Sequence, residues 1–195
     1  MSKPAVLEDD NMLKNNEIEV ITKKRTFSLV FLALLLSFAV AIHTLEAAIP
    51  VPIPVPGVKL GLANIITILT LTLFGLRSGF TVAVLRSVLG SLLTGTFLGF
   101  GFILSISSSS LSTLAMGALL PLRRKGHISL ISVSICGAVV FNVIQLTAAA
   151  IIVQNFMLWR GYMPFLLLAA LPTGFFTGLA AAYLEQLTGR ILRQQ

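Results

Sequence analysis

From Phe27 onward the chain is a series of long apolar runs, covering residues 27–49, 60–75, 79–98, 102–121, 128–153 and 162–187. A helix needs about 20 apolar residues to cross a hydrocarbon core of ~30 Å. The spacing therefore predicts an all-α, polytopic membrane protein with six transmembrane helices in one bundle. The second run is short and opens at a glycine, so a broken or re-entrant helix is its alternative. Residues 1–22 are polar, mixed in charge and without a sustained period, which predicts a flexible cytoplasmic tail ahead of a transmembrane domain over residues 23–195.

Composition agrees with this pattern. Hydrophobic residues make up 56% of the 195 positions and charged residues 11%, against roughly 25% charged in soluble domains. The net charge of +7 is unevenly placed, because residues 1–19 carry five acids and two lysines while the rest carries twelve Lys/Arg and only Glu46 and Glu185. With six spans, Lys23, Lys24, Arg25, Arg77, Arg123, Arg124, Lys125, Arg190 and Arg193 fall on one side, and Lys59 and Arg160 fall in outer loops. That bias orients both termini toward the cytoplasm of a cell-membrane protein. Cations at the ends of apolar runs do not form the basic stripe with interleaved aromatics that nucleic acid requires. The block Lys23-Lys24-Arg25, the apolar run and Ala39-Val40-Ala41 also imitate a signal peptide, but the run is long enough to span.

Between the first two runs lies PVPIPVPGVK, residues 50–59, with four prolines at alternate positions. Such a segment is a stiff, extended arm. It serves either as a spacer or as a lid over a pocket, with Lys59 near the entrance.

Few side chains in the apolar part can do chemistry. Arg86 lies eight residues into the third run, a rise of about 12 Å that puts it near the membrane midplane. Facing lipid there costs several kcal/mol, so it faces the bundle interior. Its partner is either Glu46, one turn beyond His43 on the first span, or an anionic group of a ligand. In FILSISSSSLSTLAMG, residues 102–117, Ser105, Ser108 and Ser112 recur at helical spacing. Packing is the default for serines in membrane helices, yet seven hydroxyls in the nine positions 105–113 exceed one packing seam and point to a polar cavity. Asn142 and Gln145 share a helix face, and Asn64 adds a third interior amide. The candidate substrate site is therefore Lys59, Asn64, Arg86, Ser105, Ser108, Ser112, Asn142 and Gln145.

Small residues recur as Ala33, Ser37 and Ala41, as Gly95 and Gly99, and as Gly174 and Gly178. Lost bulk lets another helix approach, within the bundle or from a partner. No GxxxxGK[ST] phosphate loop occurs, and the one Asp-Asp pair, Asp9-Asp10, is in the tail. The lone Cys136 excludes an internal disulfide, and His43 and His127 are too far apart in depth to share a metal. No catalytic residue, metal site or cofactor is predicted, and the chain is not expected to be an enzyme.

Through PGVKLGLANIITILTL (56–71), LRSVLGSLLTGTF (85–97) and SISSSSLSTLAMG (105–117), the chain resembles the membrane family labelled Gx transporter or heptaprenyl diphosphate synthase component I. The resemblance covers roughly residues 27–187. That family is similar to the six-helix substrate-binding S subunits of energy-coupling-factor transporters, which bind vitamins and work with a membrane T subunit and two ATPases. The similarity implies a pocket near the outer face under the first outer loop. It also implies partner docking through small residues of the first helix, here Ala33, Ser37 and Ala41, with Ser where Ala is expected. The two labels imply different roles. One is a transport subunit for a vitamin-like, flavin- or quinone-related or isoprenoid precursor; the other is a noncatalytic accessory component of heptaprenyl diphosphate or menaquinone synthesis. Prenyl transfer from a diphosphate normally needs Mg²⁺ held by carboxylates, which this membrane region lacks, so the transport reading is preferred.

The cation distribution predicts that residues 50–59 face outward. A single cysteine replacing Val55, in a Cys136→Ser background, should react with an impermeant thiol reagent added outside intact cells. Reaction only from the inside would contradict the six-span arrangement.

Overall fold

The computed structural model describes residues 4–48 and 61–193, and among these the elements are five helices and no strand. They are α1 (Pro4–Ala48), α2 (Asn64–Leu93), α3 (Phe100–Arg124), α4 (Leu130–Ile152) and α5 (Phe156–Arg193). All five are long and apolar enough to cross a membrane, as the apolar runs require. The prolines of the predicted arm, and Lys59 with them, lie outside the described residues. The chain divides into two compact units, one up to Leu34 and one from Leu35 onward. In the first, residues 4–22 are helical and continue into the apolar run without a break, and the rings of Phe27 and Phe31 stack at 6.3 Å between centroids.

The runs expected as separate spans over 60–75 and 79–98 correspond to two helical halves of α2, divided at Gly75, where φ is 83° and ψ is −178°. Asn64 and Arg86 are 22 residues apart, or about 33 Å along a straight helix. Their side chains nevertheless meet at 3.4 Å. Likewise, a Cβ added to Gly79 would lie 3.3 Å from the Cα of Leu71. Both contacts are symmetric about Gly75, so the chain reverses there. We call the two halves the short arm (64–74) and the long arm (76–93). The short arm is about 16 Å long, roughly half the hydrocarbon thickness.

That length is possible because the short arm lies inside the protein. Every residue from Ile66 to Leu71 is buried, as expected of a helix that is apolar all round. Ile68 and Leu71 pack with Met116 and Leu120 of α3, Leu130 and Val133 of α4, and Ala181 of α5. The long arm runs antiparallel to α3, with Leu76 against Gly117 and Ser87 against Ser109. Helices α4 and α5 are antiparallel too, with Asn142 at Leu166 and Ser134 at Thr177.

Small residues set these approaches. A Cβ at Gly174 or Gly178 would come within 2.6 Å or 2.8 Å of the α4 backbone, so this pair serves internal packing. Gly95 and Gly99 belong to the turn before α3, where Gly95 has φ 67°. Ser129 caps α4 by accepting from the Ser132 N–H at 3.1 Å. Helix α5 starts earlier than the expected 162, so Arg160 lies within it and not in a loop.

Gly75 is required by its backbone alone, since a Cβ there would meet nothing within 4 Å. Gly75→Ala should destabilise the detergent-solubilised protein by about 1–3 kcal/mol, the range for residues forced into glycine-only backbone conformations. Gly161→Ala, in α5 and equally free of neighbours, should leave the melting temperature unchanged or raise it. Equal melting of the two variants would contradict the reversal at Gly75.

Candidate functional site

The fold-back at Gly75 builds the one cationic site in the bundle interior among the described residues. Arg86 is 2% exposed. Both of its terminal nitrogens point at a single acceptor, the Asn64 amide oxygen, at 3.4 Å each. These contacts are at the long end of hydrogen bonding. Its Nε is buried without a partner, and so is Oγ1 of Thr67, one turn beyond Asn64 on the short arm. Buried guanidinium nitrogens in native proteins are almost always satisfied, so the site has spare donor capacity.

Glu46 closes the site from α1. Its Oε1 accepts the backbone N–H of Gly61, and that of Leu62 at 3.2 Å. These two N–H groups immediately precede the short arm and give the carboxylate its donors. Glu46 therefore ties the end of α1 to the start of the short arm. It acts on Arg86 electrostatically without forming a bridge to it. The ion pair among the described residues is Arg123–Glu185, between α3 and α5. One turn before Glu46, the His43 ring fills the space over Gly90, where a Cβ would come within 2.3 Å of it. Gly61 in turn sits against the Asn64 side chain and the Phe141 ring of α4.

The other residues singled out in the sequence are distributed unequally around this cluster. Ser105 and Ser109 meet Ser87, the neighbour of Arg86, at 3.4 and 3.0 Å. Ser108 bonds back to the Leu104 carbonyl at 2.5 Å, and Ser112 donates to the Gly137 carbonyl of α4 at 2.8 Å. The hydroxyls of Ser105, Ser109 and Ser112 knit α3 between the long arm and α4. Asn142 donates to the Leu166 carbonyl at 2.9 Å and so ties α4 to α5. Gln145, one turn away, is fully buried. The structure thus brings Asn64 and Arg86 together, joins Ser105 to Ser87 beside Arg86, turns the Ser108 hydroxyl onto its own helix, and puts Ser112 and Asn142 in contacts between helices.

Sequence reasoning did not single out Thr67, Gly61, Gly90 or Phe141. Asn64 and Thr67 at i and i+3 were a readable signal. The glycines matter only through contacts that the fold-back creates.

Two further surfaces are open. Ala33, Ser37 and Ala41 of α1 are each exposed, whereas Leu35, Ala39, Val40, His43 and Glu46 are buried. At the start of α5, Phe156, Met157, Trp159 and Arg160 line an open recess of about 480 Å³. Exposed aromatic residues at a helix end suit a membrane–water interface. Among the described residues no three His, Cys, Asp or Glu side chains gather as metal ligands.

No curated protein and no solved structure matches the chain. A family model, described as heptaprenyl diphosphate synthase component I, matches residues 35–184, beginning at the residue where the second unit begins. The match takes in the last part of α1, all of α2, α3 and α4 with the Arg86 cluster, and most of α5. The protein belongs to the heptaprenyl diphosphate synthase component I family.

Proposed function

We propose that this chain is a noncatalytic, multi-pass subunit of the cell membrane, both termini cytoplasmic, that binds a small molecule through an anionic group held at Arg86. The observation that carries this reading is a buried guanidinium that has, among the described residues, no bridging acid, one amide oxygen as acceptor and an unused Nε. An arginine that only stabilised the bundle would be expected to have an ion pair. An anion arriving at Arg86 gains a charge-assisted, two-pronged contact in a low-dielectric setting.

The resemblance to S subunits of energy-coupling-factor transporters supports a capture role, with a T subunit and ATPases as partners and a vitamin-like, flavin- or quinone-related or isoprenoid precursor as cargo. The family name supports a second reading, a membrane accessory component of heptaprenyl diphosphate or menaquinone synthesis. Stable copurification with a prenyl synthase would favour that one, and copurification with a T subunit and ATPases the first.

Arg86 variants test the binding reading. Thermal stability is followed with a flavin phosphate, a naphthoate and an isoprenoid phosphate as probes. At least one should stabilise the native protein, Arg86→Lys should keep part of the effect because the charge survives, and Arg86→Gln should lose it. If Arg86 merely balances Glu46, the double variant Arg86→Gln, Glu46→Gln should regain both stability and binding. Equal stabilisation of the folded Arg86→Gln variant would remove Arg86 from the site.

The exposed small residues of α1 support docking of another membrane subunit, since close backbone approach in lipid depends on missing bulk. Ser37→Leu should lower the yield of the copurified complex while leaving the isolated protein's melting temperature unchanged. An unchanged yield would show that this position is not a docking contact.

A further inference from the structure

The Arg86 cluster also restricts what kind of anion can bind, and the restriction comes from Glu46. In the described part of the bundle interior the charges are one guanidinium and one carboxylate, because Glu185 is engaged with Arg123 at the far end of α3. Glu46 cannot move away from the cluster without giving up the Gly61 and Leu62 N–H groups. Gly61 itself rests on the Asn64 side chain, which is the acceptor for Arg86. The carboxylate is thus held three contacts from the guanidinium, through Gly61 and Asn64, and acts on it electrostatically without bonding to it.

Donor capacity points the same way. The arriving group can draw on the two terminal nitrogens of Arg86, its unused Nε and the unpartnered Thr67 hydroxyl. A carboxylate, with two oxygens and about four lone-pair sites, matches that set. A diphosphate brings several more oxygens and two or three negative charges, which a single guanidinium beside a fixed carboxylate does not offset. The buried Phe141 ring, beside Gly61, is an apolar neighbour of the cluster.

We infer that the site defined by Glu46, Asn64, Thr67 and Arg86 selects a monoanionic, carboxylate-type headgroup on an apolar or ring-shaped body and rejects diphosphates. This rests on the reading of Arg86 as an anion site and narrows its ligand class. It also separates the chain's own binding from the diphosphate in the family's name.

The test compares farnesoic acid with farnesyl diphosphate, which share one tail. Affinities are measured by equilibrium binding to the full chain in nanodiscs of zwitterionic lipid. The acid should bind the native protein at least about tenfold more tightly than the diphosphate. Glu46→Gln should narrow that ratio by strengthening diphosphate binding, and Arg86→Gln should abolish binding of both. The native-protein ratio stands without any variant, so misfolding of one does not remove the test. Diphosphate binding as tight as the acid's, and dependent on Arg86, would overturn the inference while keeping Arg86 as an anion site. Binding of neither probe in an Arg86-dependent way would overturn the anion site and the inference together.

Discussion

A guanidinium at membrane depth has to be hidden from lipid and given acceptors, and in this protein both conditions depend on the reversal at Gly75. On insertion scales an arginine at the centre of a span costs about 2.5–3.5 kcal/mol. The fold-back brings Asn64 to Arg86 across 22 residues of sequence. It also places the short arm within the bundle, where it meets α3, α4 and α5. Glu46 then fixes the start of that arm to the end of α1. The result is a buried site whose cation is shielded and only partly satisfied.

Packing explains why other polar groups do not gather there. In lipid, helices gain little from hydrophobic burial against one another, so close approach and short hydrogen bonds supply the adhesion. The hydroxyls of Ser112, Ser134 and Thr177 are used in this way, as is the amide of Asn142, while the Ser108 hydroxyl is spent on its own helix. Gly174 and Gly178 let the α5 backbone lie against α4. Among the buried side-chain atoms of the described residues, Arg86 Nε and Thr67 Oγ1 remain without a partner. They lie on the two arms that face each other across the Gly75 turn.

Much of this was legible in the sequence because hydrophobic length is a strong signal. The runs predicted at 102–121 and 128–153 correspond closely to α3 and α4. The interior position of Arg86 followed from the cost of exposing it to lipid. The second and third runs correspond to the two arms of α2, separated by the reversal at Gly75. The serine stripe read as cavity-lining because a count of hydroxyls does not say which carbonyl each one reaches. The placement of Glu46 could not be foreseen either. Its partners are backbone N–H groups of Gly61 and Leu62, which carry no side-chain signal.

The proposed anion site would give this member of the heptaprenyl diphosphate synthase component I family a role in recognition. A neutral pair of fixed charges, with donors to spare, suits an anion of low charge better than a polyphosphate. Mass spectrometry of the small molecules released from the detergent-purified protein tests this most directly. The account predicts a monoanionic compound released from the native protein and absent from the folded Arg86→Gln variant. The same compounds from both proteins, or none from either, would contradict it.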